Sequence, residues 1–200
     1  RSGGSSGCAT NPVSGQSDFV MMSEAEEVAI GRQYHPRILK EYGYYDNEAL
    51  QEYVQQVGGK VAAMSHRPGL VYRFTVVDSP TINAFALPGG YIYITRGLLA
   101  YLDSEAELAA VLGHEIGHVT ARHAVRQQSA AQAAGIGYTV AQILLPELRS
   151  SAAQDMFNIL AQATLSGYGR EQELESDRLG AEYLARSGYP PQAMLDVLRV

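Results

Sequence analysis

The sequence has almost no cysteine. Cys8 is the only one, so no intramolecular disulfide can form, and the fold must hold together by its core. Positive charge is also scarce: 15 Lys and Arg stand against 21 Asp and Glu, for a formal charge of -6. No basic cluster exists to follow a phosphate backbone, which argues against nucleic acid as a partner. No apolar run is as long as a membrane span. The Ala-rich stretch 130–145 is broken by Gln132 and Gln142 and reads as a buried or partner-facing helix. What remains is ample apolar content, 46% of 200 residues, enough for one domain with a sizeable core.

The most informative stretch is His114-Glu115-Ile116-Gly117-His118, inside the apolar-periodic run 106–125. Positions four apart on a helix differ by only about 40° in direction. His114 and His118 therefore share a face, one turn apart, where two neutral imidazoles can hold two corners of a Zn²⁺ tetrahedron. Glu115 points to the neighbouring side, placed to take a proton from a metal-bound water. Gly113 and Gly117 each cost the helix about 1 kcal/mol relative to Ala, which suggests close backbone approach beside the ligands. His123, five residues past His118, falls about 140° round a continuous helix and is expected behind the ligands or at the surface. His35 and His66 read as surface or structural residues.

A catalytic zinc takes three protein ligands and keeps one open position. Glu171, Glu173 and Glu175 compete for the third place. On a helix opening at Arg170, Glu171, Glu175, Arg178, Glu182 and Arg186 share one face, with charges of both signs, as on a solvated ion-paired surface. Glu173 and Asp177 fall with Gly180, Ala181 and Leu184 on the small, apolar face. Carboxylates there are costly unless a cation meets them. Glu173 is thus the expected ligand. Asp177, one turn on, is placed to accept the outer N–H of a ligating histidine.

The surrounding chain reads as α+β. Residues 1–18 are small and polar and form a flexible tether, leaving a metallopeptidase domain over 19–200. Within the tether, Ser6-Gly7-Cys8-Ala9 resembles the end of a bacterial lipoprotein signal, which implies a lipid anchor on Cys8. Ser23-Glu24-Ala25-Glu26 is a capping box opening a helix to about Tyr42, with a bend at Pro36. A second helix starts at Asp46-Asn47 and meets a break at Gly58-Gly59. Runs 70–77, 82–87 and 91–95 read as strands of a small antiparallel sheet packed on the metal helix. Ser104-Glu105-Ala106-Glu107 caps that helix. From Gln127 to Ser166 the pattern is helical, interrupted at Gly135, Gly137 and Pro146, and reads as two helices that cover or gate a cleft. A helix from Arg170 to about Ser187 and a short one after Pro190-Pro191 end the chain.

Taken together, His114-Glu115-x-x-His118 and Glu173-x-x-x-Asp177 resemble the zinc metallopeptidase family of the CAAX prenyl endopeptidases, HtpX and the periplasmic BepA. The resemblance runs from Asn11 onward. It includes the strand-turn segment Asn83-Ala84-Phe85-Ala86-Leu87-Pro88-Gly89-Gly90, and it also takes in Arg122 and the stretch from Arg170 to Gly180. Gly169 departs from it, standing where the family has Ser. The resemblance implies a gluzincin fold, one Zn²⁺ on His114, His118 and Glu173, Glu115 as general base, and Asp177 behind a ligand. Family members often carry a further residue, beyond the last position here, that reaches the metal or the transition state. A domain cut short at its C-terminal side is therefore expected.

The expected activity is zinc-dependent endoproteolysis in the bacterial periplasm, at the outer membrane. Its expected substrates are unfolded or misassembled proteins, bound as an added strand along Asn83, Ala84, Phe85 and Ala86. The alternative is a chaperone or outer-membrane assembly factor, in contact with the assembly machinery, whose peptidase activity is latent. A third reading is an inert helical scaffold around a structural zinc.

Overall fold

The computed structural model describes residues 8–19, 22–133 and 151–198. Two strands, β1 (Cys8–Thr10) and β2 (Ser17–Phe19), pair antiparallel. The segment expected as an unstructured tether is thus partly a ribbon. The main elements follow as α1 (Glu24–Tyr42), α2 (Glu48–Ala62), β3 (Arg73–Val77), β4 (Ala84–Leu87), β5 (Tyr91–Thr95) and α3 (Arg96–Tyr101). Then come α4 (Glu105–Thr120), α5 (His123–Ala133), α6 (Ser151–Ser166), α7 (Arg170–Arg186) and α8 (Ala193–Leu198). The stretch expected to break the covering helices, with Gly135, Gly137 and Pro146, lies outside the described residues. Among the described residues no helix is long and apolar enough to cross a membrane.

Helix starts follow the side chains that satisfy the first free N–H groups. Ser23 Oγ accepts from Glu26 N, Asn47 Oδ1 from Leu50 N, and Ser104 Oγ from Glu107 N. α1 runs through Pro36, and α2 continues unbroken through Gly58-Gly59, with the Phe74 ring packed where a Gly58 side chain would stand.

The sheet is mixed, which corrects the antiparallel expectation. Its order is β3-β5-β4, with β3 parallel and β4 antiparallel to β5. Residues 78–83 carry the chain past the end of β5 to its far side. Thr95 anchors that crossing: its Oγ1 lies within donating reach of Thr81 O (2.5 Å) and Asn83 O (3.0 Å), and it accepts from Asn83 N (3.2 Å). Alternation of apolar residues gives each strand but not its neighbours, so the parallel pairing was hidden in the sequence.

β5 is buried on both faces: Ile92 and Ile94 enter one apolar cluster with α2, α4 and α7, and Tyr91 and Tyr93 enter another with α1, α5 and α6. The outer edge of β3 is closed by two glutamines one turn apart on α2. Gln51 bonds Val76 N (2.8 Å) and Val76 O (2.9 Å), and Gln55 bonds Phe74 N (2.9 Å) and Tyr72 O (3.1 Å). These side-chain amides take the place of a further strand. β4 forms the opposite edge.

α4 lies between the sheet and α7. An added Cβ on Gly117 would sit 3.1 Å from Ser176 Cα, and one on Gly180 would sit 3.0 Å from the Gly113 carbonyl carbon and His114 N. The two backbones are therefore almost in contact.

The run 106–125, expected as one helix, is two. α4 stops at Thr120, and Arg122 adopts φ 56° before α5 begins. A left-handed non-glycine residue needs outside support. Arg122 Nε donates to Glu27 Oε2 (3.0 Å) and its Nη2 to Met22 O (2.7 Å). Arg67 binds the same carboxylate, Nη1 to Oε1 at 3.2 Å and Nη2 to Oε2 at 3.0 Å. Glu27 is 1% exposed, so one buried carboxylate joins two buried guanidinium groups.

Two stability outcomes follow from these contacts. Gly180→Ala pushes α4 from α7 and costs about 1–3 kcal/mol, whereas Gly113→Ala, whose Cβ would stand 3.4 Å from its nearest neighbour, is neutral or stabilising by up to about 1 kcal/mol. Thermal melting of the two variants checks the contrast. Glu27→Gln leaves two buried guanidinium groups short of their counter-charge and costs about 3–5 kcal/mol in urea unfolding.

Candidate metal centre

α4 presents His114 and His118 from adjacent turns, and α7 brings Glu173 to meet them. His114 Nε2 lies 2.8 Å from Glu173 Oε2, His118 Nε2 lies 3.2 Å from Glu173 Oε1, and the two Nε2 atoms are 3.1 Å apart. These three side chains form a group able to hold a metal ion. A tetrahedral ion with bonds of about 2.0–2.1 Å holds its donors about 3.3 Å from each other, so the observed triangle is close to that size. Two imidazole nitrogens so near one carboxylate also need positive charge between them, as a proton or a metal. The donor set and spacing therefore fit the ion.

The electrostatics agree. Burial alone would lower the His114 pKa, but the Asp177 and Glu173 carboxylates outweigh it and lift the group to about 10. Burial would raise Glu173, yet hydrogen bonds from both imidazoles hold it well below the usual carboxylate range. The pocket thus favours a cation. The Glu173 carboxylate is further fixed by Tyr168 N, which donates to Oε1 at 3.0 Å.

Behind His114, Nδ1 lies 2.7 Å from Asp177 Oδ1, as the helical spacing of Glu173 and Asp177 requires. Glu115 is only 8% exposed and accepts no hydrogen bond from the described residues. Burial raises its pKa, opposed by His114 and His118. A carboxylate of this kind is poised to handle a proton.

These groups face a cleft of about 210 Å³. Asn83, Ala84, Phe85 and Ala86 line one wall, from the open edge of the sheet, with Leu160, Thr164 and Tyr168 opposite. His114, Glu115, His118, Glu173 and the segment Asn83 to Ala86 thus border one space, with Asp177 behind it on His114. The strand itself begins at Ala84, and Ile82 is exposed, so the pairing segment is shorter than the expected 82–87.

Of the two places the sequence left open for His123, the structure gives the one behind a ligand candidate, while the partner of Glu175 and the place of Tyr168 escaped the sequence reading. His123 is fully buried, and its Nδ1 lies 2.8 Å from His118 Nδ1. The break at Arg122 turns it back toward the ligands, whereas a continuous helix would carry it away. Glu175, assigned to a solvated face, instead meets His123 Nε2 at 2.6 Å. Tyr168 lays its ring 4.7 Å from that of His118. The Arg122-His123 step was the available signal for the first two. Nothing in the local pattern marked Tyr168. His35 and His66 are structural, bonded to the hydroxyls of Tyr93 (2.6 Å) and Tyr183 (2.7 Å).

Comparison with known proteins points the same way. The chain is 31% identical over 194 residues to the beta-barrel assembly-enhancing protease of Yersinia pestis, covering 94% of this chain and 40% of that protein. It is 30% identical over 192 residues to the protein of the same name from Escherichia coli K12, covering 92% and 39%. It is 32% identical over 154 residues to the mitochondrial metalloendopeptidase OMA1 of Arabidopsis thaliana, covering 76% and 30%. The chain therefore spans well under half the length of these relatives. The pattern of peptidase family M48 matches residues 48–198, which hold every ligand candidate described above. On this match and these relatives, the chain belongs to peptidase family M48, a family of metallopeptidases.

Proposed function

We propose that this chain is the peptidase part of a zinc-dependent endopeptidase of the bacterial cell envelope, acting on misfolded or misassembled proteins. One observation carries the reading: two imidazoles from α4 and a carboxylate from α7 converge beside a buried carboxylate that accepts no hydrogen bond from the described residues. In this reading His114, His118 and Glu173 hold one Zn²⁺, and Asp177 orients His114. When bound, the ion supplies Lewis acidity, bringing water closer to ionisation at neutral pH and polarising the scissile carbonyl.

Glu115 is the general base. It takes a proton from the attacking water and gives it to the leaving amine nitrogen. Its raised pKa suits both halves of that exchange.

Substrate lies extended along β4, at Asn83, Ala84, Phe85 and Ala86, and adds a strand to the open edge of the sheet. The glutamines on α2 support this choice of edge, because they already occupy the other one. Next to the cleft, Tyr34, Ile38, Phe157, Leu160 and Leu165 help line an apolar groove of about 270 Å³. Backbone pairing with an apolar side pocket suits chains whose core residues are exposed. The names of the bacterial relatives, beta-barrel assembly-enhancing proteases, support a place in the envelope and contact with its protein-assembly machinery; the Gly7-Cys8 step supports a periplasmic place with an anchor to the outer membrane through lipid on Cys8.

A second reading, a chaperone or assembly factor with latent peptidase activity, is favoured by α6. The end of this helix closes on the substrate wall, where Asn83 Nδ2 donates to Thr164 O at 3.4 Å. The cleft volume of about 210 Å³ is below the roughly 300–1,000 Å³ of ordinary ligand pockets.

Glu115→Gln is expected to retain zinc and lose casein cleavage by about 10²–10⁴-fold. Chelation abolishes cleavage by the wild-type chain and added Zn²⁺ restores it. Activity that survives both treatments removes the zinc-peptidase reading. Met156→Ala empties the fully buried contact under α6 and loosens it. Turnover of casein then rises if α6 restricts the cleft; unchanged turnover removes latency by this helix.

A further inference from the structure

The two histidines of the centre are supported differently. His114 has a carboxylate directly behind it, Asp177. No carboxylate touches the outer nitrogen of His118. There, Nδ1 faces His123 Nδ1 at 2.8 Å and Ser176 Oγ at 3.0 Å. His123 in turn meets Glu175 Oε1 through Nε2 at 2.6 Å. We infer that His123 and Glu175 form a two-step positioning relay that fixes the ring and tautomer of His118 for metal binding. The inference rests on the metal-centre reading above.

For a neutral His123 beside an ionised Glu175 the protons have one arrangement. Two Nδ1 atoms at 2.8 Å must share a proton. Glu175 accepts only, so the His123 proton sits on Nε2 and donates to it. His123 Nδ1 is then an acceptor, and His118 Nδ1–H donates to it. The His118 Nε2 lone pair is left facing Glu173 and His114, which is the form that binds a metal. His123 is fully buried, so its ring has no solvent partner for either nitrogen.

The relay is held at both ends. Arg126 Nη1 lies 3.6 Å and Arg178 Nη2 lies 3.9 Å from the Glu175 carboxylate. The Tyr168 ring covers both imidazoles, at 4.7 Å from His118 and 5.9 Å from His123. The left-handed Arg122 makes the contact possible, because on a continuous helix His123 would face about 140° away.

The test is zinc affinity of the metal-free full chain, read by competition with a chromophoric chelator. Metal-free melting temperature is measured alongside to report the fold. His123→Leu fills the space without accepting a proton and is expected to weaken zinc binding by about 10–100-fold. His123→Asn restores an acceptor facing His118 and is expected to recover most of the loss. Glu175→Gln keeps the shape, removes the charge and weakens binding by about tenfold.

If wild type binds zinc and both His123→Leu and Glu175→Gln bind within about twofold of it, the relay is overturned and the metal centre stands. Equal weakening by His123→Leu and His123→Asn also overturns it, since volume alone would then explain the effect. If His123→Leu does not fold, Glu175→Gln decides. Failure of wild type to bind zinc, or undiminished binding by His118→Ala, overturns the metal centre and the relay with it.

Discussion

The near-contact of α4 and α7 sets where every donor atom falls. Both imidazoles come from α4, and the third donor and both outer carboxylates come from α7. Side chains of fixed length can meet at one point only if the two backbones stay at one spacing. Gly117, Ser176 and Gly180 set that spacing by having little or nothing to interpose. The helices could pack a little further apart with alanines and still bury their apolar faces. They could not then bring Glu173 within 3.2 Å of both histidines. Packing distance is thus a property of the site as well as of the core.

The sheet contributes through its edges. β5 sits in the middle, buried on both faces, and fixes the two outer strands. One outer strand is spoken for by glutamine amides that imitate a neighbour. The other faces the donors. In the proposed reading, an extended chain seeking unpaired backbone groups meets the edge beside those donors.

Much of this arrangement was legible from the sequence. The His-Glu-x-x-His spacing gives two ligands because helical periodicity is local, and the same periodicity separates Glu173 and Asp177 from the other acidic residues of α7. Capping residues at Ser23, Asn47 and Ser104 gave the helix starts for the same reason. Strand order was not legible, because Ile92 and Tyr93 would alternate equally well beside a parallel or an antiparallel partner. Nor was the break at Arg122, whose left-handed conformation is supported by Glu27, 95 residues away. Without that break Glu175 falls on a solvated face, and His123 is left open between the surface and a place behind the ligand candidates. Local rules fail where a distant charge overrides them.

The buried triad of Glu27, Arg67 and Arg122 has a bearing on where the domain begins. The family pattern starts at residue 48, yet the two carboxylates that pair with these guanidinium groups, Glu27 with both and Glu24 with Arg67, and the Met22 carbonyl that receives Arg122, come from residues earlier than that. Trimming the protein to the recognisable segment would strand two cations in the interior, directly beneath the turn that follows the second histidine. The smallest unit that similarity detects is therefore smaller than the smallest unit that is electrically complete.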